Sequence, residues 1–293
     1  MPRPEPAGRP DGAGIRSRLT AAVRLALAHQ LPRFAAALTF YTVLSLLPAL
    51  LVVVALLGLV GLSPQTLQAL LNDVGKLGAQ WAVDFVSGAL NSVLQSHSST
   101  LALGLGSLLA LWAASGYVGA FMWASDVIGG EAGERPFLRG LPVRLGLALL
   151  LLLLLAGTAA ALTLVGPVGR TVADSMGLSR ETLHLWTWVK WPLLFAVGLL
   201  MIGSLYFFAP AHRRGSFWTL LAGALTGICL WVVVTFAFGF YLTHWASYDR
   251  LYGALATGIA FLVWAWMVNL ALLVGEEVDR QLGHRAEAPA AAL

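Results

Sequence analysis

Charged residues are scarce in this chain. Lys, Arg, Asp and Glu together make 11% of its 293 residues, while hydrophobic residues make 58%. Soluble globular domains carry about 25% charged residues, so this composition excludes a water-soluble fold and predicts a polytopic membrane protein. Cysteine is nearly absent: Cys229 stands alone inside an apolar run, so no intrachain disulfide can form. The start, MPRPEPAGRPDGAGIRSR, lacks the apolar stretch of a signal peptide and reads as a disordered cytoplasmic tail over residues 1–18. A net charge of +4 would point to nucleic acid in a soluble protein. Here the arginines gather in loops, where the positive-inside tendency accounts for them, and no nucleic-acid partner is expected.

Recognisable catalytic and metal-binding patterns are also lacking. His29, His97, His184, His212, His244 and His284 are scattered, with no HxH or HExxH spacing. On the topology below, His97, His184 and His244 share the outer side; solvated interface histidines are the default reading, and convergence on a metal is the alternative. The glycine-rich stretch Gly129–Gly133 follows a helical pattern rather than a strand, which argues against a phosphate cradle. No Ser–His–Asp set is indicated by the sequence and none is excluded by it. No cofactor is expected.

What the chain has is long apolar runs. No charge occurs from Phe34 to Asn72. At about 1.5 Å per helical residue, such a run exceeds the roughly 30 Å hydrocarbon core of a bilayer. Six spans are predicted, at about 35–62, 101–124, 143–165, 185–209, 217–241 and 252–274, within one transmembrane domain over 19–282. A cytoplasmic tail, 283–293, follows. Residues 63–99 differ in kind. Leu67, Leu70, Leu71, Val74, Trp81 and Phe85 recur at helical spacing opposite Gln68, Asn72, Gln80 and Asp84. This amphipathic insertion lies on the membrane surface or caps the bundle. With the N-terminus inside, thirteen of the eighteen cations fall on the inner side and five on the outer. That count places both termini in the cytoplasm.

Polar groups inside the spans are few. Tyr41, Ser45 and Pro48 fall at i, i+4 and i+7, one stripe of one helix face, and Asn269 is the mid-membrane amide of the last span. Lipid tails offer no partner for a hydroxyl or an amide, so the stripe should face other helices. It serves either as interhelical packing or as a ligand-facing surface. Pro48 removes a backbone donor and marks an expected kink. The pairs Gly223/Gly227 and Gly116/Ala120 read as close-packing signals. Near the cytoplasmic edge, Glu276 and Glu277 are expected to close the last span and Asp126 the second, with Arg135 and Arg139 just beyond. These charges either pair in a network or form a solvated rim.

Four segments stand out: AAALTFYTVLSLLP in the first span, Glu134-Arg135-Pro136-Phe137 after the second, Tyr206 to Pro210 followed by a basic turn and Gly223-Ala224, and LYGALATGIAFLVWAWMVNLALLVGEEVDRQL from Leu251 to Leu282. Together, and above all in the last, they resemble the YihY/BrkB family of bacterial inner-membrane proteins, and this resemblance covers most of the chain. It extends from Leu19 to Leu282. Asp126 stands where the family more often has Asn. Glu276 follows Gly275 directly where many members have an intervening Ala, so the equivalent acid is Glu276 or Glu277. The resemblance implies six helices in the cytoplasmic (inner) membrane. It supplies no settled activity: the family once carried the label ribonuclease BN, and some members are tied to serum resistance. RNA hydrolysis needs a metal cluster or an acid–base pair beside a basic groove, and neither is visible in the sequence. The sequence therefore leads to an all-α membrane protein that moves or shelters a lipid-like or amphipathic ligand. A non-transporting envelope scaffold is the alternative, and an enzyme comes third. Membrane lipid is the expected partner, and the oligomeric state is open.

Overall fold

A computed structural model describes residues 30–59, 99–130, 137–163, 180–211, 216–244 and 255–287. Every regular element among them is an α-helix. In chain order these are α1 (Leu31–Leu59), α2 (Ser99–Ile128), α3 (Phe137–Thr163), α4 (Arg180–Phe208), α5 (Phe217–His244) and α6 (Leu255–Glu287). The tail 1–18, the amphipathic stripe with Trp81 and Phe85, Arg135, and the side chains of Pro48, Arg139, His97, His184 and His244 lie outside the described residues.

In a medium without water, a chain segment must satisfy its own backbone hydrogen bonds, and long apolar runs therefore fold as helices. Among the described residues, four stretches are long and apolar enough to cross a bilayer: Gly140–Thr158, Trp188–Phe208, Phe217–Leu242 and Gly258–Gly283. Between 22% and 28% of each is buried, so most of their surface faces outward. That surface is apolar, with Val233, Phe236, Phe240, Leu200 and Leu153 exposed, as lipid contact requires. Trp188, Trp191 and Trp218 stand exposed near helix ends, where an aromatic belt belongs.

α6 is the organising element. It packs most extensively against α5, and then against α1; α1 in turn pairs closely with α2, and α3 and α4 close the ring. The α5–α6 crossing is made by glycines. A methyl group at Gly275 would lie 2.8 Å from the Gly223 carbonyl oxygen and 2.9 Å from Gly227 Cα, so only glycine fits. This is where the predicted GxxxG pair is used. Gly116, the second predicted small-residue site, receives the ring of Tyr41 from α1.

Among the described residues, buried charge gathers at one polar end, where α2 and α4 finish, α3 and α5 begin, and the last turns of α6 pass. Here the sequence expectation needs correction. Glu276 and Glu277 do not close the last helix, which continues to Glu287 and takes in part of the predicted tail. Charge can remain in the helix because the end is roofed by neighbours, and Glu276, Glu277, Asp279 and Arg280 are all buried.

Candidate functional site

Two groups of polar side chains on α6, one near mid-bundle and one at the polar end, account for most of the buried polarity. The mid-bundle group centres on Asn269, which is 3% exposed. Its Nδ2 donates to the carbonyl of Ala265 in its own helix (2.9 Å) and to Thr39 Oγ1 and Thr42 Oγ1 of α1 (3.3 Å each). Its Oδ1 accepts the Tyr117 hydroxyl of α2 at 3.0 Å. The two threonines can accept because their own protons go elsewhere: Thr39 donates to Ala35 O at 2.7 Å and Thr42 to Leu38 O at 2.9 Å. Three helices are thus tied at one amide.

The predicted stripe divides at this level. Ser45 points inward, donates to the Thr42 carbonyl (3.1 Å), and lines the same cavity as Asn269. Tyr41 turns toward Gly116 and stacks edge-on with Phe40 at 5.5 Å between centroids, and it is not part of the cavity wall. The group that meets Asn269 is instead Thr39, Thr42 and Tyr117, none of which the sequence reading singled out. The threonines sit at i and i+3, a legible spacing. Tyr117 carried no local signal.

Beside Asn269 lies a cavity of about 330 Å³. Its polar corner is Thr42, Ser45, Tyr117 and Asn269, and the rest of its wall is apolar, including Leu151 and Leu155 of α3, Met201 of α4 and Trp264 of α6. The volume falls at the lower end for small-molecule pockets, which run from roughly 300 to 1,000 Å³. Apolar walls with few convergent polar atoms favour an amphipathic occupant whose larger part is hydrocarbon.

Two helical turns further along α6, the polar-end group centres on Glu276, which is completely buried. Its Oε1 accepts the Ser125 hydroxyl at 2.7 Å and faces Arg280 Nε at 3.5 Å. Arg280 Nη2 donates to the Ser125 carbonyl (2.9 Å) and its hydroxyl oxygen (3.1 Å). The guanidinium packs so tightly on Gly129 that any side chain there would collide with it. Asp126 Oδ1 accepts the backbone N–H of Ala211, which fixes the end of α4. Glu277 accepts from Gln281 at 2.7 Å. Tyr206, fully buried, donates its hydroxyl to the Leu272 carbonyl between the two groups. Of the predicted charges, Glu276, Glu277 and Asp126 do gather here. Arg280, four residues after Glu276, is the cation beside it, and this i+4 spacing was readable.

A further cation, Arg144, lies near the start of the third span, within the apolar stretch of α3. Its Nε donates to the Ser115 carbonyl of α2 and its guanidinium lies flat on Gly119. Among the described residues no group of three His, Cys, Asp or Glu side chains is arranged to hold a metal ion.

The sequence profile described as virulence factor BrkB matches residues 22–292. A protein of Bacillus subtilis named "Putative ribonuclease-like protein YfkH" is 25% identical over 264 residues, which is 89% of this chain and 93% of that protein. A UPF0761 membrane protein of Aromatoleum aromaticum is 28% identical over 268 residues; the match takes in 87% of this chain and 61% of that longer protein. A UPF0761 membrane protein of Vibrio cholerae is 32% identical over 97 residues, a third of this chain. No solved structure matches significantly.

Proposed function

The chain belongs to the virulence factor BrkB family of membrane proteins, and we propose that it binds a lipid-like or amphipathic molecule in the cavity beside Asn269, to move it or to shelter it. The observation that supports this reading is the cavity itself: an apolar space of about 330 Å³ between the helices, open on part of its side, with its polar side chains gathered at Asn269. The proposal includes six crossings of the bacterial inner membrane with both termini in the cytoplasm, α1 and α2 being the crossings beyond the four long apolar stretches. Reporter fusions after Gly215 and at the C-terminus should read cytoplasm, and a fusion near Ser247 the outside.

The name of the Bacillus relative raises RNA cleavage as another activity. The acids buried among the described residues argue against it: Asp126, Glu276, Glu277 and Asp279 are shielded from any surface a nucleic acid can reach. A second reading, an envelope scaffold, draws support from the glycine crossing and the interlocked charges of the polar end. Complementation separates the two. Measured interhelical hydrogen bonds in membranes average about 0.6 kcal/mol, so an Asn269→Leu, Tyr117→Phe double variant should insert and fold normally. On the ligand reading it fails to restore whatever defect a deletion strain shows. Full restoration would leave the scaffold reading standing.

A further inference from the structure

Arg144 is the feature that neither the packing nor the charge cluster absorbs. It lies seven residues into α3, about 10 Å along the helix from its start at the polar end. It is half-buried, and its one hydrogen bond goes from Nε to a main-chain carbonyl, that of Ser115. Among the described residues no carboxylate pairs with it, and Nη1 and Nη2 have no partner. A cation in an apolar stretch is costly without one. Arg144 also flanks the cavity. Ala148, one turn further on the same face of α3, lines it, as do Ala114 and Val118 of α2, which bracket the Ser115 carbonyl.

The donors in the cavity wall sharpen the point. The hydroxyl protons of Thr42, Ser45 and Tyr117 all go to protein acceptors, and the Asn269 amide is likewise engaged. What the polar corner still offers is oxygen lone pairs, which repel an anion. The guanidinium that flanks the cavity, one turn before Ala148, offers unused N–H groups and a positive charge in a fork that suits phosphate or carboxylate.

We propose that the occupant of the cavity is an anionic, single-chain amphiphile whose phosphate or carboxylate headgroup is held by Arg144 while its hydrocarbon tail fills the cavity. This rests on the ligand reading above and gives it a chemical class. A single chain is specified because the space is at the small end for a ligand pocket. The guanidinium sits on the polar-end side of the cavity, so the headgroup faces the end where α3 begins and the tail runs toward Leu155.

The test uses the full chain in nanodiscs and two tritiated probes, dodecyl phosphate and uncharged dodecanol, with binding counted above empty nanodiscs. The wild type should hold dodecyl phosphate roughly tenfold more tightly than dodecanol, the scale of one charge-assisted hydrogen bond. Arg144→Gln should erase that preference and leave dodecanol binding unchanged. Leu155→Trp, which fills the cavity from a partly exposed wall position, should weaken both. A preference that survives in Arg144→Gln would overturn the proposal, as would a wild type that holds both probes equally. That second result would still leave the cavity reading intact, since the chain would be bound without regard to its head. If neither probe binds the wild type, the cavity reading falls and the proposal with it. Inorganic phosphate supplies the remaining arm: competition as strong as that of unlabelled dodecyl phosphate would show a free-anion site and overturn the amphiphile. Should Arg144→Gln not be recovered folded, Arg144→Lys serves. Its point charge lacks the fork, so the preference should drop severalfold, and no drop would count against Arg144 as the anchor.

Discussion

At Asn269 one amide joins three helices and still borders an open space. At Glu276, two turns along the same helix, a carboxylate and a guanidinium are roofed over, a serine bridges them, and a glycine is pressed against the arginine. Both are polar groups in a mainly apolar bundle, yet their surroundings differ in kind. The first group is neutral, its donors are nearly all used within the protein, and it leaves room. The second is charged and leaves none. Among the described residues, Glu276 Oε2 and Arg280 Nη1 are even buried without a hydrogen-bond partner. Neutral groups beside a void suit a place where something comes and goes. Buried charge with no slack suits a place where nothing moves.

The contrast can be broken by measurement. The largest effect is expected at the polar end. Arg280→Leu leaves the Glu276 carboxylate buried and alone, which should cost about 3–5 kcal/mol of stability, while a Glu276→Leu, Arg280→Leu double variant should recover most of it. Denaturant unfolding in detergent reads both, and a loss no greater than that of Asn269→Leu would erase the distinction between the two groups. Next comes Gly275→Ala, which places a methyl group against the Gly223 carbonyl and should cost about 1–3 kcal/mol through overpacking. Its effect belongs on the unfolding midpoint; a shift confined to probe binding would mean that the crossing belongs to the cavity. The smallest effect is expected for Tyr41→Phe, because no hydrogen bond of the hydroxyl is seen among the described residues and the ring contact with Gly116 survives. Stability should change by about 0.5 kcal/mol or less, and complementation should be unaffected. A loss of function there would move the ligand site toward α1 and α2.

The helices were legible because apolar runs of this length leave few alternatives in a chain with so little charge. Helix ends were less so. Glu276-Glu277 reads as the place where a helix leaves the membrane, and only the folded neighbours Ser125, Gly129 and Arg280 make a buried continuation tolerable. The site was half legible. Asn269 and Glu276 stand out because an amide and a carboxylate are rare in such runs, and both proved central to buried polar groups. Thr39 and Thr42 were passed over in favour of Tyr41 because a threonine in a helix normally hides its proton against its own backbone. That same habit frees its oxygen to accept from another helix. The partner of Arg144 was not legible, because position along the chain says nothing about which carbonyl a side chain will find.

The contact between Arg280 and Gly129 has a mechanical consequence. It ties the last turns of α6 to the point where α2 ends, and Asp126 ties the same point to the end of α4. Helices clamped together at one end can part only by splaying, with the clamp as the pivot. Asn269 lies about 16 Å from that pivot along α6, so a small change of tilt would open the cavity level before it reaches the charges. On the ligand reading, a gate at the cavity would work like a pair of tongs, with the buried ions as its rivet.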